Sequence, residues 1–251
     1  MLKVTTDEQN SGMHQLRIVS VFGLTESVIV EKLAEFEQLF PRLKLEIKSN
    51  FAESRVRLSA SQSRPTELKD SAAPAVDWIC RKLGDHVYSD AGQSMPQVVG
   101  TLLAERHATL AVAESCTGGL IADMLTDVAG SSDYFLLSVV TYANQAKINV
   151  LGVSDQTLEK HGAVSEQTAG EMARGAKHIV NATYGLATSG IAGPGGETDG
   201  KPVGTVCIGL ATPLSVAGHR FNFGGHNRRT NKQIFALTAL DLLRKELLDR
   251  K

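Results

Sequence analysis

A chain of 251 residues, 42% hydrophobic and 21% charged, can bury a sizeable core and is expected to form two domains. Its formal net charge of -1 sets aside binding of polyanions by bulk charge. The three cysteines, Cys80, Cys116 and Cys207, form no C-x-x-C pair, and none of the seven histidines stands in an H-x-H or H-E-x-x-H pattern. A disulfide framework, a zinc site and a resident metal are therefore not expected. Residues 1–12 lack the apolar core of a signal peptide, and no apolar run is long enough to span a bilayer. The expectation is a cytoplasmic protein with no membrane partner and no cofactor.

In chain order, residues 1–15 read as a loose tail. Leu16, Ile18 and Val21 mark a strand, and Val28, Ile29, Leu33, Phe36, Leu39 and Phe40 then recur at helical spacing until Pro41. Two alternating strands follow, Leu43/Leu45/Ile47 and Val56/Leu58/Ala60, and a helix from about Thr66 to Leu83 completes a β-α-β-β-α unit over 16–84. Trp78 is assigned to its core. Residues 85–93, rich in turn formers, read as a linker to a second domain over 94–251.

In that second domain a helix from Ser94 to about His107 precedes the apolar strand Thr109–Ala113, a turn, and the helix Leu120–Val128. Phe135–Tyr142 is a near-continuous apolar strand, of the kind that sheets covered on both faces use. Asn149–Leu151, Asp155–Lys160 and Glu166–Val180 read as helices, with Ser154 and Ser165 as caps. Strand Tyr184–Thr188 runs into a glycine-rich loop. Strands Val203–Ala211 and Val216–Phe223 are close enough to pair antiparallel, and Asn227–Leu248 closes the chain as an amphipathic helix with Ile234, Leu237, Leu240 and Leu243 inward. The fold class is therefore α/β: a three-layer α/β/α domain with a mixed sheet, preceded by a small α+β domain.

Chemistry-bearing residues collect where strands stop. Glu114-Ser115-Cys116-Thr117-Gly118-Gly119 lies between a strand and a helix, where unpaired helix N–H groups and the helix dipole favour negative charge. The loop Ser189-Gly-Ile-Ala-Gly-Pro-Gly-Gly196 matches neither a Walker motif nor a dinucleotide fingerprint, but it can offer N–H groups to an oxyanion. Arg228, Arg229 and Lys232 add positive charge nearby in sequence. With no histidine placed to serve Ser115, the available bases are a lysine of lowered pKa, Lys147, or a relay through Tyr142; Cys116 is the competing nucleophile.

These motifs together resemble the carboxy-terminal domain of the CinA family. The resemblance spans roughly Met95 to Leu248 and rests on Glu114–Gly119, Tyr142-Ala-Asn-Gln-Ala-Lys147, Leu151-Gly-Val153, His161-Gly-Ala-Val-Ser-Glu166, Ser189–Gly196 and Lys201-Pro-Val-Gly-Thr-Val206. Phe22-Gly-Leu-Thr-Glu-Ser27 and the β-α-β-β-α order of 16–84 are similar to the KH-like domain of longer CinA proteins, whose amino-terminal pyrophosphatase-type domain is not expected in this sequence. The resemblance implies a nicotinamide-nucleotide amidohydrolase, hydrolysing nicotinamide mononucleotide to nicotinic acid mononucleotide and ammonia. Ser115, Tyr142 and Lys147 would be catalytic; Glu114, Thr117, Gly118, Gly119, Asn144, Ser189, Gly190, Gly193, Gly195, Gly196 and Arg228 would bind substrate, the glycine loop and Arg228 on its phosphate.

The chain departs from the family pattern at Ala143, Gln145, Ser189, His226 and Asn227, and has no clear second arginine around Asn231 and Lys232. A non-enzymatic, nucleotide-binding or protein-binding relative is the alternative reading. No nucleic-acid partner is expected, because 16–84 holds no G-x-x-G and its charges are mixed. A homo-oligomer, in the first place a dimer, is expected.

Overall fold

Strand β1 (His14–Phe22) is central to a four-stranded antiparallel sheet in the order β2-β3-β1-β4, formed with β2 (Lys44–Asn50), β3 (Glu53–Ala60) and β4 (Val87–Ser89). A computed structural model describes residues 14–50, 53–60 and 72–249, and the chain divides into two units, Met1–Ser94 and Met95–Lys251. Along β3 the alternation is complete: Ser54, Val56, Leu58 and Ala60 are buried, while Glu53, Arg55, Arg57 and Ser59 are only half-buried. The buried face packs on α1 (Glu26–Lys32), α2 (Phe36–Leu39) and α3 (Ala73–Leu83) through Ile29, Phe36, Val76 and Ile79. Trp78 lies against this core, its ring 6.1 Å from Phe36 and 6.0 Å from Phe40.

Three expectations change in this unit. The apolar periodicity from Val28 to Phe40 is carried by two short helices rather than one, with Leu33 leaving helical geometry as the C-cap of α1. The helix expected from Thr66 begins at Ala73, with Pro74 in its first turn; residues 66–71 lie outside the described residues. The stretch assigned as a linker supplies a 3₁₀ turn, Gly84–His86, and then β4, which pairs with β1 through Val21 opposite Val87 and Ser20 opposite Ser89. Turn composition misled here because strand pairing satisfies backbone groups that a linker would leave to water, and Tyr88 is buried with its hydroxyl on the Glu53 carboxylate.

The second unit is built on a five-stranded mixed sheet in the order β6-β5-β7-β8-β9. Strands β5 (Leu110–Glu114), β6 (Phe135–Val140) and β7 (Tyr184–Gly190) are parallel; β8 (Thr205–Ala211) and β9 (Val216–Asn222) continue the sheet antiparallel. Every residue of β5 and β8 is buried, which fits a sheet covered on both faces. On one face lie α6 (Asn144–Leu151), α7 (Asp155–His161) and α8 (Glu166–Ile179). On the other lie α4 (Met95–Glu105), α5 (Leu120–Thr126) and α9 (Arg228–Asp249).

Helix α8 lies directly on glycines: a Cβ at Gly185, Gly209 or Gly218 would strike the carbonyls of Ala173, Ala169 and Glu166 respectively. Ser165 caps α8, accepting from the Thr168 N–H at 3.2 Å, whereas the Ser154 side chain makes no capping bond. Helix α9 departs from the expected single apolar stripe. Ile234, Phe235, Ala236, Thr238, Ala239 and Leu240 are all buried, because the helix is packed between the sheet and α4. Among the described residues no helix is long and apolar enough to cross a membrane.

Candidate active site

Because β5, β6 and β7 run parallel, their carboxyl ends meet along one edge of the sheet, the edge at which open α/β sheets collect ligands. Ser115 follows β5, and its N–H donates to the Thr188 carbonyl of β7 at 3.0 Å. Lys147 reaches the same point from α6, a helix that starts at Asn144, five residues earlier than its sequence pattern indicates. The Lys147 side chain is 1% exposed, and its Nζ lies 3.2 Å from Ser115 Oγ, 2.8 Å from the Thr141 carbonyl oxygen and 3.2 Å from that of Tyr142. Burial holds this amine below its ordinary pKa, with no acidic side chain bonded to it to restore the charge. As a neutral amine, Lys147 can give both N–H groups to the two carbonyls and turn its lone pair to Ser115 Oγ.

The rest of the turn serves to hold this pair. The Glu114 carboxylate, fully buried, accepts from the N–H groups of Gly119 (3.0 Å), Ile121 (3.1 Å) and Ala122 (3.0 Å), with the Ser138 hydroxyl at 3.4 Å. It caps α5, so its assignment to substrate is corrected: its lone pairs are taken up by the helix start. Gly118 donates its N–H to the Ser115 carbonyl, and both Gly118 and Gly119 sit at positive φ, 62° and 92°. Neither glycine N–H is then available to a substrate oxyanion. The N–H groups of Cys116 and Thr117 donate to no other residue among those described and are the ones left for that role.

Side chains of two other expected site residues are likewise committed to structure. The Thr117 hydroxyl is 2.7 Å from that of Thr188, and Ser189 Oγ donates to the Ala163 carbonyl at 2.6 Å. Gly190 belongs to β7 rather than to the loop; a Cβ there would lie 2.6 Å from the Thr205 carbonyl oxygen and 3.2 Å from Cys116 Sγ. Cys116 is buried, and desolvation pushes its thiol up to about 12, so it is protonated at neutral pH and poorly suited to act as a nucleophile.

Tyr142 departs from the relay role. Its backbone carbonyl, and not its hydroxyl, faces Lys147; the exposed side chain carries its Oη to Arg228, whose Nη2 donates to it at 2.9 Å. Arg228 Nη1 donates to the Gly193 carbonyl at 2.7 Å, so one guanidinium ties the glycine loop to the end of β6. The substitution at position 227 does not unseat it. Asn227 Oδ1 accepts the Thr230 N–H at 3.0 Å and thereby caps α9.

Gly195 and Gly196 lie exposed beyond Gly193, and Asn144 is exposed on the first turn of α6. Lys232, discounted by sequence for lack of an arginine, is brought to the turn: its Nζ would lie 3.3 Å from a Cβ on Gly118. The helical interval from Arg228 to Lys232, four residues on one face, was the available signal. Among the described residues no cluster of three or more His, Cys, Asp or Glu side chains could hold a metal ion.

A buried serine–lysine pair at the strand ends of an α/β/α domain, in a chain that also carries a small antiparallel α+β domain, defines the class. The chain belongs to the CinA family: residues 92–247 match the CinA C-terminal domain and residues 16–89 the damage-inducible protein CinA KH domain. A CinA-like protein of Desulfosudis oleivorans is 53% identical over 92% of this chain and 56% of its own length; one of Desulforapulum autotrophicum is 49% identical over 92% and 55%. The chain thus spans about half the length of the curated relatives it matches. Among solved structures, the competence/damage inducible protein CihA from Agrobacterium tumefaciens is 40% identical, with a TM-score of 0.59 over 61% of this chain and 93% of that one. A CinA superfamily protein from Klebsiella pneumoniae is 33% identical, with a TM-score of 0.59 over 62% and 99%.

Proposed function

We propose that the second unit is an amidohydrolase that converts nicotinamide mononucleotide to nicotinic acid mononucleotide and ammonia. The observation that carries this reading is the contact of 3.2 Å between Ser115 Oγ and the buried amine of Lys147. In the proposed reaction Lys147, neutral, takes the Ser115 proton as Oγ attacks the carboxamide carbon. The N–H groups of Cys116 and Thr117 receive the developing oxyanion, each contributing about 3 kcal/mol. The ammonium form of Lys147 returns that proton to the amide nitrogen, ammonia leaves, and an ester on Ser115 remains. Water then attacks the ester with Lys147 again accepting a proton, which passes to Ser115 Oγ as the acid is released. The sum is amide plus water to acid plus ammonia.

On this reading the phosphate of the substrate lies toward Arg228, Lys232 and the loop Gly193–Gly196, where a forked cation and a point charge stand within reach of exposed backbone. The Tyr142–Arg228 contact spans the space between phosphate and amide ends. The test is ammonia release from millimolar nicotinamide mononucleotide by purified full-length chain, without added metal and with a chelator. Turnover that is abolished by Ser115→Ala supports the reading. Binding by calorimetry with no turnover would replace the enzyme by a nucleotide-binding module.

A further inference from the structure

Thr141, the residue that follows β6, brings its carbonyl to Lys147 and carries a second polar group, its hydroxyl. The Thr141 carbonyl oxygen, 2.8 Å from Lys147 Nζ, is the shorter of the two carbonyl contacts that hold the amine. Thr141 Oγ1 is buried, yet it has no hydrogen-bond partner among the described residues. Buried hydroxyls are rarely left unpaired, because desolvation is then uncompensated. Tyr134 Oη is also unpaired, but it stands at the other end of β6, beside Gly100.

Strand register places Thr141 next to the nucleophile. Ala113 is opposite Val139 and Glu114 opposite Val140 in the parallel β5–β6 ladder, and the Thr141 N–H donates to the Glu114 carbonyl at 2.9 Å. One step further along, Thr141 stands beside Ser115. Side chains alternate between faces, so both share the face of Ala113 and Val139, the face that α6 covers. Three elements therefore converge on one point: Ser115 after β5, Thr141 after β6 and Lys147 from α6.

Resting on the amidohydrolase reading, we propose that the Thr141 hydroxyl is a substrate-orienting group that accepts an N–H from the carboxamide nitrogen. It holds the leaving nitrogen on the Lys147 side of the carbonyl and sets the preference for a primary amide. A hydroxyl is suited to this, since its lone pairs can accept from the amide nitrogen and no partner among the described residues competes for them.

The test compares the full chain with Thr141→Val, which keeps the shape, and Thr141→Ser, which keeps the hydroxyl. Two substrates are used: nicotinamide mononucleotide and the methyl ester of nicotinic acid mononucleotide, which has no N–H to give. Thr141→Val should lower kcat/KM for the amide about tenfold, the scale of one lost hydrogen bond, and leave the ester within about twofold. Thr141→Ser should stay within about twofold on both. The unfolding midpoint of Thr141→Val should stay level or rise, because the hydroxyl it removes has no partner in the protein. The proposal is overturned by an unchanged rate on the amide, by an equal loss on both substrates, or by a lowered midpoint. Failure of the parent reading shows separately, as a wild type that releases no ammonia. If that wild type still binds nicotinamide mononucleotide, a weaker affinity in Thr141→Val upholds the contact and an unchanged one removes it; a wild type that neither turns it over nor binds it ends both.

Discussion

Replacing Glu114 by Gln tests whether this buried acid is part of the scaffold or touches substrate. Oε2 of the carboxylate serves Gly119 and Ile121, and Oε1 serves Ala122 and the Ser138 hydroxyl. Glutamine keeps one acceptor oxygen and puts an NH₂ in place of the other. In either orientation at least one backbone N–H at the start of α5 then faces a donor instead of an acceptor. An orphaned buried N–H costs about 1–3 kcal/mol, and loss of the negative charge at a helix N-terminus roughly 0.3–1 kcal/mol more. The sum, about 1.3–4 kcal/mol, corresponds at roughly 2–4 °C per kcal/mol to a fall of roughly 3–16 °C in the midpoint of a unit of this size. Scanning calorimetry of Glu114→Gln beside the wild type measures it, following the transition of the second unit. A midpoint within about 1 °C of wild type, together with lost binding of nicotinamide mononucleotide, would refute the capping argument and return Glu114 to the substrate site.

On the proposed reading Lys147 is the base in its neutral form, and burial lowers its pKa from 10.5, so kcat/KM should rise with pH and level off below that value; a rate still climbing steeply at pH 10.5 would contradict the assignment. The same shift means that the unfolded chain holds more protons than the folded one between the two pKa values, so stability should increase as pH rises through the folded value toward 10.5. Lys147→Arg, which cannot deprotonate, should lose at least a hundredfold in kcat, and Ser115→Ala combined with it should cost little more than either change alone. Cys116→Ser should keep measurable turnover and iodoacetamide should leave the proposed activity intact, since the thiol is buried and desolvation pushes it up to about 12; loss of activity in both would make Cys116 the nucleophile. Tyr142→Phe removes the hydroxyl that meets Arg228 and leaves the carbonyl that meets Lys147, so KM should rise a fewfold while the pH at which the rate levels off stays unchanged; a displaced pH limb would restore the tyrosine relay.

Sequence by itself determined the kinds of element and the places where chemistry could collect. The unbroken apolar run of β5 announced a strand covered on both faces, because burial on two sides removes the alternation that one wet face imposes, whereas the apolar run of β6 misled: it is an edge strand on which Leu136 and Val140 are exposed. Glycines 118 and 119 marked the turn between strand and helix, which the fold takes at positive φ, and the ordered motifs from Glu114 to Arg228 carried the family. Local composition failed at β4, where Val87 and Tyr88, two strand formers set among turn formers, are drawn into a ladder with β1 that joins residues far apart in the chain.

What only the tertiary structure decided is who pairs with whom. Ser115 and Lys147 stand on different elements, and their contact depends on the register of β5 with β6 and on how α6 docks back across the strand ends. The same packing assigns Glu114 to the α5 N–H groups, Thr117 to Thr188 and Ser189 to Ala163, although each residue type would suit a substrate equally well in sequence. It also separates the two ends of Tyr142, giving its carbonyl to Lys147 and its hydroxyl to Arg228. A periodic pattern reports which face of an element is buried, but a polar group's role is set by the nearest partner of matching donor or acceptor character, and that partner is fixed by distance in the folded chain.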